Sequence, residues 1–385
     1  MIKRSIVVLI FAALILAILP AGCAGSGSET GQPGVSQPPA ENKPAAPLPG
    51  GDAAGNPAVS ESLTFIFTDA TGREVELPRN IERVSPSGTM AQVVLFTLVP
   101  DKLVGLSVAL TDAEKNYMDD RIKGLPVLGN FSADTLNLES VMLTAPQVIV
   151  DIGQVSPSSA DDMQSIQDKT GIPAVFVELD DIGSMLTGYA ALGELFGVEE
   201  EAQKIIDYIS ENIISVINRA EEIPEADRVS VYYGINDGLT SIIANSFHSD
   251  AIDFAGGRNV AAIAQTIRGG AAEISMEQLI LWNPDVIIFA HESIYDTVAS
   301  LPEWGALSAI TENRYYEIPH GPYNWVNRPP SVNRLLGVRW LANLLYPEIF
   351  PFDMAQEARE FYKLFYHVDL TDAQIEGLLS KATAK

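Results

Sequence analysis

Cysteine and histidine are scarce in this chain, whose 385 residues include one cysteine and four histidines. A single cysteine excludes an internal disulfide, and so few imidazoles disfavour a zinc or iron site built from protein ligands alone. Basic residues are also few, 24 against 50 acidic ones, which gives a net charge of −26. This acidity disfavours binding to nucleic acid and electrostatic attachment to anionic lipid.

Three motifs of common enzyme classes are missing from the sequence. They are the Gly-x-Ser-x-Gly elbow, the Gly-x-x-x-x-Gly-Lys phosphate loop and the His-Glu-x-x-His metal motif. A catalytic triad can still assemble from distant residues, because it is defined by geometry. Ser87, at a predicted strand-to-helix turn, is the one serine that a secreted hydrolase could use. We expect a protein that is not an enzyme.

The beginning of the chain predicts export. Lys3 and Arg4 precede an apolar run over residues 6–19, which is too short to span about 30 Å of hydrocarbon. A basic start, a short apolar core and small residues are typical of a secretory signal. Cys23 follows directly and resembles the lipidated cysteine of bacterial lipoproteins, although Pro20 stands where an aliphatic residue is usual. This resemblance implies a signal peptide over 1–23 and an extracytoplasmic protein that a lipid on Cys23 anchors to the cell membrane. The alternative is secretion with cleavage nearby and without a lipid anchor.

The segment after the signal differs in composition from the rest. Residues 24–60 are rich in Gly, Pro, Ser and Ala, so they cannot bury enough apolar surface to offset the entropy of ordering. We interpret them as a flexible tether. About 325 residues remain, which is comfortable for two domains.

An internal repeat indicates how those domains are built. Residues 138–150 and 276–288 share one pattern: a short helix with a glutamate in its first turn, a proline stop and a buried strand. An Arg-Val-Ser strand start precedes each copy, at Arg83 and at Arg228. The repeat predicts two lobes of similar architecture.

Short apolar segments alternate with helical ones through both copies, which is typical of parallel βαβ units. We therefore predict the α/β class: two lobes, each with a central, mostly parallel sheet flanked by helices, joined by a single long helix. The predicted boundaries are an N-terminal lobe over 61–197, a connecting helix over 198–224 and a C-terminal lobe over 225–385. The connecting helix is predicted from an isoleucine stripe at helical spacing between Glu199 and Glu222.

From residue 62 onward the chain resembles the class III substrate-binding proteins of ABC importers, which take up iron–siderophores, haem or cobalamin. Seven segments carry the resemblance: 68–75, 83–88, 137–141, 276–279, 283–287, 328–331 and 337–348. Their order and spacing are more specific than any single motif. The sequence of residues 322–347 is most similar to those of the iron-complex branch.

The resemblance implies a ligand cleft between the lobes and partners in the membrane. In this family one glutamate of each lobe docks onto the permease dimer, which works with a cytoplasmic ATPase. Glu139 and Glu277 match those positions; the alternative is that each only stabilises the dipole of its helix. We expect a monomer with no intrinsic cofactor, whose ligand is a small metal chelate, and no binding to nucleic acid.

Ligands of open α/β sheets lie beyond the carboxyl ends of the strands, and polar or aromatic residues follow several predicted strands here. In the first lobe these candidates are Ser87, Gly88, Thr89, Asn130, Phe131, Asp151 and Gln154, the first three at a helix start suited to an anionic group. In the second lobe they are Tyr233, Asn236, Arg268, His291, Tyr323, Trp325 and Arg328. The two arginines could pair with carboxylates or phenolates of a chelate. Tyr323 and Trp325 could instead cover the core of the lobe, but their position in a loop between two prolines favours exposure in the cleft.

His291 is the candidate for direct contact with iron, because imidazole can ligate it and the position follows a predicted strand. The sequence favours His320 less, leaves His248 undecided and suggests that His367 is structural. Within the same class of protein, haem or a corrinoid is the alternative ligand to an iron siderophore. Haem would require axial ligands, which His291 and Tyr323 could provide.

Overall fold

The computed structural model describes residues 63–383 except 132, 134, 264–269, 328 and 330. The predicted signal peptide, the tether, Cys23, Arg268 and Arg328 lie outside the described residues. Those predictions therefore remain predictions. Within the described ranges, every helix is too short or too polar to cross a bilayer.

The described part begins with an antiparallel hairpin of β1 (Thr64–Thr68) and β2 (Glu74–Pro78). The turn is fixed by Asp69, whose Oδ1 accepts a hydrogen bond of 2.9 Å from the backbone N–H of Thr71. Gly72 has a φ of +85°, the conformation that favours glycine. The sequence Asp69-Ala70-Thr71-Gly72, with glycine at the position of positive φ, is typical of such a turn.

Three parallel strands form the sheet of the N-terminal lobe, in the order β3 (Val84–Pro86), β4 (Val148–Gly153) and β5 (Ala174–Glu178). Two short apolar segments, 103–106 and 127–129, have the composition of strands but form only single bridges, from Val84 to Leu103 and from Leu106 to Val127. The sheet is buried, as parallel sheets between helices are.

Helices pack around this sheet, and two of them end at left-handed glycines, Gly171 and Gly197. The six helices are α1 (Thr89–Leu98), α2 (Asp112–Lys115), α3 (Asp120–Lys123), α4 (Leu138–Leu143), α5 (Ser159–Thr170) and α6 (Ile182–Phe196). A short 3₁₀ turn over Pro100–Lys102 follows α1.

The predicted connecting helix is present but is not α-helical throughout. It consists of α7 (Glu199–Tyr208), a π-helical turn (Ile209–Ile214) and α8 (Ser215–Glu221), with no gap between them. Ile205, Ile209 and Ile213 are buried, so the isoleucine stripe faces the core. A 3₁₀ turn over Glu225–Asp227 leads into the next sheet.

The second sheet has six strands and is mixed. Its central strand β6 (Ser230–Ile235) is parallel to β8 (Arg258–Asn259) and β10 (Val286–Phe289), and β10 is parallel to β11 (Tyr315–Glu317). On the edge of β6 away from β10, where β8 also pairs, β7 (Thr240–Ile242) is antiparallel to both β6 and β9 (Ala271–Glu273). The helices of this lobe are α9 (Asp250–Phe254), α10 (Met276–Trp282), α11 (Ser308–Thr311) and α12 (Asn333–Leu345), with 3₁₀ turns at Val298–Ser300 and Trp304–Ala306.

The last segment, which the predicted boundaries assign wholly to the C-terminal lobe, touches both lobes. It comprises α13 (Met354–Phe361), a π-helical turn (Tyr362–Tyr366) and α14 (Asp372–Leu379). His367 Nε2 lies 3.2 Å from the carbonyl oxygen of Phe96 on α1, while Trp340 Nε1 donates a hydrogen bond of 2.8 Å to the carbonyl of Ala382. The lobes are thus held together by this segment as well as by the connecting helix.

The architecture confirms the predicted fold class: two α/β lobes with parallel strands flanked by helices. The antiparallel strands β7 and β9 extend the second sheet beyond its parallel part.

Candidate functional site

The turn from β3 into α1 forms part of the carboxyl-end face of the first sheet. Ser87 is buried, and its Oγ donates a hydrogen bond of 2.5 Å to Asp151 Oδ1 in the second half of β4. Burial raises the pKa of the Asp151 carboxyl, and the Ser87 bond opposes this by stabilising the carboxylate. Because the Ser87 hydroxyl is covered and already donates to a carboxylate, it is poorly placed to act as a nucleophile.

Asn130 connects this turn to the neighbouring loop. Its Nδ2 donates a hydrogen bond of 3.2 Å to Thr89 Oγ1, and a Cβ atom on Gly88 would lie 3.5 Å from its Oδ1. Phe131 is held by its backbone N–H, which donates a hydrogen bond of 2.7 Å to the carbonyl of Ser87. The structure therefore brings these predicted residues together, whereas Gln154 lies exposed beyond the end of β4.

Asn130 also lines an open depression of about 450 Å³. Its walls include Val108 and Val127, which are 45% and 49% exposed, together with the polar residues Thr135 and Asn137. This part of the first lobe combines apolar side chains with amide and hydroxyl groups, which is typical of sites that bind organic molecules.

In the second lobe, two imidazoles stack at the carboxyl ends of adjacent parallel strands. His291 follows β10 and His320 follows β11, and their rings are 4.7 Å apart between centroids with an angle of 12°. His291 is about half exposed, and its Nδ1 lies 3.6 Å from Glu317 Oε1. Burial lowers the pKa of His320, and the neighbouring His291 lowers it further. His320 is therefore neutral near pH 7, the form that ligates metals.

The first lobe reaches this imidazole pair through the segment around α2. A Cβ atom on Gly321, next to His320, would lie 2.6 Å from the ring of Tyr117, so the close approach requires glycine. Glu114 acts electrostatically on His320, as does Glu292. Val108, in the wall of the depression, lies four residues before α2 in the chain.

The other candidates of the second lobe are arranged differently from the prediction. Asn236 is exposed in the turn after β6, with a φ of +55°, whereas Tyr233 is buried within that strand. The prediction that Tyr323 and Trp325 are exposed in a cleft is wrong, because they are only 7% and 1% exposed. Trp325 Nε1 donates a hydrogen bond of 3.1 Å to Tyr362 Oη, so the loop packs under the C-terminal segment.

Three contributing residues were missed or ranked low by the sequence reasoning. His320 was considered less favourable than His291, and Glu114 and Glu317 were not considered. The sequence feature that could have identified His320 is its position just after a predicted strand. Its proximity to His291, however, depends on the pairing of β10 with β11. Across the described residues, no group of three or more His, Cys, Asp or Glu side chains is arranged to hold a metal ion.

The two proposed docking glutamates occupy equivalent places. Glu139 lies in the first turn of α4, which is capped by Asn137 Oδ1, and Glu277 lies in the first turn of α10, which is capped by Ser275 Oγ. Both glutamates are exposed. The backbone N–H of Glu277 and the Ser275 hydroxyl lower the pKa of the Glu277 carboxyl, so it is ionised at neutral pH.

The model of the family described as "Periplasmic binding protein" matches residues 85–321, and the chain belongs to that family. A solved ABC transporter solute binding protein from Sulfurospirillum deleyianum is 29% identical, with a TM-score of 0.75 over 82% of this chain and 99% of that one.

Two named relatives are more distant. The molybdate-binding protein MolA of Haemophilus influenzae is 23% identical over 78% of this chain and 90% of its own length. The haem uptake protein IsdE of Staphylococcus aureus is 20% identical over 60% of this chain and 78% of its own. The two names give different ligands.

Proposed function

We propose that this protein is the extracytoplasmic substrate-binding component of an ABC importer and that its ligand is a metal chelate, foremost an iron complex of the siderophore type. The family and the two-lobed fold support the importer role. The lipid anchor on Cys23 is part of the proposal, because it would keep the receptor near its permease.

The observation that carries the choice of ligand is the stacked pair His291 and His320. Ligands of one metal lie at most about 4 Å apart when each bond is about 2 Å long, and rings 4.7 Å apart can reach this by small side-chain rotations. Two imidazoles leave several coordination positions to be filled. A chelator that occupies the remaining positions would complete the metal's coordination when the complex binds.

The charges around the pair favour a metal over a free oxyanion. The carboxylates of Glu114, Glu292 and Glu317 surround it, and an anion such as molybdate would be repelled there unless neutralised. Among the ion pairs of the described residues, Lys381 Nζ lies 3.5 Å from the Glu317 carboxylate and offsets part of its charge. A positively charged metal centre is complementary to this environment.

Haem is the second candidate, and IsdE is the relative that suggests it. Axial ligation of haem by Tyr323 is unfavourable in this structure, because the Tyr323 phenol is buried and accepts a hydrogen bond of 3.3 Å from Gln92 Nε2. Burial also raises the pKa of Tyr323 well above its ordinary value, which opposes formation of a phenolate ligand. Haem binding would therefore depend on His291 or His320.

A titration of the purified protein with five probes tests the proposal: a ferric chelate with two open coordination positions, a saturated ferric chelate, haem, cobalamin and molybdate. Binding would be followed by tryptophan fluorescence and by the visible absorption of the iron complexes. We expect the unsaturated ferric chelate to bind most tightly and its charge-transfer band to shift. Strong binding of molybdate or haem, with no binding of either ferric chelate, would contradict the proposed ligand.

A further inference from the structure

Two π-helical turns occur in the described part of the chain, and both lie in segments that link the lobes. The first, Ile209–Ile214, interrupts the connecting helix, and the second, Tyr362–Tyr366, follows α13 in the C-terminal segment. A π-turn has i→i+5 hydrogen bonds in place of i→i+4 bonds. Such turns are rare and often lie at functional sites, so their presence in both links indicates a shared role.

The first π-turn lies where the connecting helix passes from one lobe to the other. Before it, α7 packs closely on α6 of the first lobe, because a Cβ atom on Gly193 would lie 2.8 Å from the Cβ of Ala202. After it, α8 packs on the second lobe, where a Cβ atom on Gly256 would lie 3.3 Å from the Cβ of Ala220. Each half of the helix is fixed to a different lobe, so a rotation between the lobes has to be absorbed in the turn between them.

Side-chain donors hold two carbonyl groups of the first π-turn. Ser215 Oγ donates a hydrogen bond of 2.6 Å to the carbonyl of Glu211, and Arg339 Nη1 donates one of 2.8 Å to the carbonyl of Asn212. Arg339 belongs to α12 of the second lobe and also pairs with Glu357 on α13. Because these donors keep the carbonyls satisfied, the backbone of the turn can shift between i→i+5 and i→i+4 bonds without leaving them unpaired.

The second π-turn lies at the other crossing between the lobes. On one side, the ring of Tyr366 stacks on Phe96 of α1 in the first lobe, with centroids 6.3 Å apart. On the other side, Tyr362 Oη accepts a hydrogen bond of 3.1 Å from Trp325 Nε1 in the second lobe. Both links between the lobes therefore contain a π-turn at the place where they cross.

The two π-turns also contact each other through aromatic rings. Tyr208, the residue before the first turn, lies edge-on against Phe361 and Phe365, with centroids 6.2 and 5.4 Å apart. Phe361 directly precedes the second turn and Phe365 lies within it. Tyr208 Oη is buried and, among the described residues, has no hydrogen-bond partner. The contact thus consists of ring surfaces without a directional bond, which allows one turn to slide on the other.

The second π-turn is connected to the imidazole pair as well. Tyr362 Oη donates a hydrogen bond to the carbonyl of Gly321, the residue after His320. The ring of Tyr117, which lies against Gly321 from the first lobe, is 6.0 Å from the ring of Tyr362. A ligand that draws His320 towards His291 therefore displaces Gly321, and Tyr362 carries this displacement to the turn.

We propose that the two π-turns form one joint about which the lobes rotate, and that a ligand on the imidazole pair tightens this joint through Tyr362. A hinge needs only a few residues that absorb changes in backbone angles, and these turns provide them at both crossings. The ligand shifts the joint because it binds the tightened state better. This inference rests on the proposed function in that the ligand binds at the imidazole pair, but the position of the joint does not depend on which ligand binds.

The experiment measures amide hydrogen exchange by mass spectrometry on the full chain, with and without the ferric chelate that has two open coordination positions. Exchange reports how often a backbone hydrogen bond opens. Without chelate, we expect residues 209–214 to exchange about tenfold faster than the flanking helices α7 and α8, and residues 362–366 about tenfold faster than α13. With chelate, exchange at both turns should slow by about tenfold while α7 and α8 change little.

The variant Tyr362→Phe removes the bond to Gly321 and keeps the ring. Its matched control is Tyr346→Phe, which removes a phenol bond of 2.9 Å to the carbonyl of Gly256 in the same lobe. We expect Tyr362→Phe to bind the chelate without the slowing at residues 209–214. The control should respond as the wild type does. Thermal melting checks that both variants are folded, and the wild-type comparison alone decides the position of the joint.

Exchange at residues 209–214 that is as slow as in α7 and α8 in the chelate-free wild type would overturn the inference. Equal slowing by the chelate in wild type and Tyr362→Phe would also overturn it, because the coupling would not pass through Tyr362. Wild-type protein that binds the chelate with no change at either turn would overturn it and leave the proposed ligand intact. If the chelate does not bind, the proposed ligand is refuted. The chelate-free comparison then decides the inference: fast exchange at both turns supports the joint, and slow exchange overturns it.

Discussion

Gln92 on α1 donates a hydrogen bond of 3.3 Å from Nε2 to Tyr323 Oη, in the loop that follows β11. The same side chain accepts through Oε1 from the backbone N–H groups of Ser107 and Val108, at 2.7 and 3.0 Å. One buried amide thus connects a helix of the first lobe, the wall of the depression and a loop of the second lobe. It fixes the side of the molecule that carries the candidate site.

Replacement of the Gln92 amide should lower the free energy of unfolding more than replacement of the Tyr323 phenol. We expect Tyr323→Phe to lower the free energy of unfolding by about 1 kcal/mol, the usual value of one hydrogen bond. Gln92→Leu leaves buried donors of Ser107 and Val108 without an acceptor, so we expect a loss of about 3 kcal/mol or more. Urea unfolding of the two variants measures both values, and equal losses would show that the Oε1 bonds contribute little.

The imidazole pair should determine ligand affinity without supporting the fold. We expect His291→Gln and His320→Gln each to weaken binding of the ferric chelate by about ten- to a hundredfold or more. Loss of a residue that merely supports a metal ligand already has an effect of that size. The shift of the charge-transfer band should disappear in the double variant. His367→Gln is the matched control, since His367 contacts the carbonyl of Phe96 on α1 and not the imidazole pair. Unchanged affinity in the double variant would remove the metal contact from the proposal.

Stability should fall as the pH is lowered through the range in which histidine titrates. Burial lowers the pKa of His320 and, with Arg121 nearby, also that of His367, from the ordinary 6.5. Below 6.5 the unfolded chain then binds more protons than the folded one, so this contribution to stability is complete above 6.5 and is lost as the pH falls towards the lowered values.

Each of these histidines contributes a slope of at most about 1.4 kcal/mol per pH unit. Asp151 acts in the opposite direction, because burial raises the pKa of its carboxyl. A comparison of wild type with His320→Gln by thermal melting at pH 7 and at pH 5.5 isolates one histidine. We expect the variant to lose less stability than the wild type over this range; the same loss in both would contradict the prediction.

Part of this structure was predictable from the sequence because the signals were local. The helix α6 begins after an Asp181 cap and ends at Gly197, and both residues are signals of helix ends that the sequence itself shows. The fold class followed from the alternation of such elements. The pairing of β10 with β11 was not predictable from local patterns, and this pairing brings His320 onto His291.

The burial of Tyr323 and Trp325 was missed for a similar reason. A loop between prolines is typical of exposed surface, but here the C-terminal segment covers the loop. Trp325 donates a hydrogen bond to Tyr362, which lies 37 residues later in the chain. Hydrophobic periodicity describes neighbours in sequence and contains no information about which distant segment covers a loop.

The docking glutamates should matter for transport and not for ligand binding. We expect the double variant Glu139→Ala and Glu277→Ala to lose uptake of the ferric chelate in whole cells while its affinity for the chelate stays that of the wild type. The glutamates are exposed and belong to α4 and α10, away from the imidazoles, so the fold should be unaffected. Glu194→Ala and Glu201→Ala, substitutions of two exposed acids on α6 and α7, serve as the control. Normal uptake by the first variant would remove the docking role.

The buried Arg334 connects the two lobes, and among the described residues no carboxylate forms an ion pair with it. Arg334 on α12 is 1% exposed, and its guanidinium donates a hydrogen bond of 2.6 Å to the carbonyl of Asp180 after β5. It also lies 4.5 Å above the ring of Phe247. Burial lowers the pKa of Arg334, while the charges of Asp250, Asp181 and Asp180 oppose that effect. The planar guanidinium can reach the carbonyl and stack on the ring together, which an ammonium group cannot do.

We therefore expect Arg334→Lys to lower the free energy of unfolding by about 2–3 kcal/mol, the value of a buried hydrogen bond to a charged group together with the lost stacking. Arg359→Lys is the control, since Arg359 pairs with the exposed Asp372, and such surface pairs contribute at most about 1 kcal/mol. Urea unfolding gives both values, and small-angle scattering reports whether the lobes separate. If the two substitutions lower the free energy of unfolding equally, the contact of Arg334 with Asp180 does not brace the lobes, and their relative orientation depends on the other contacts between them, such as Gln92 with Tyr323.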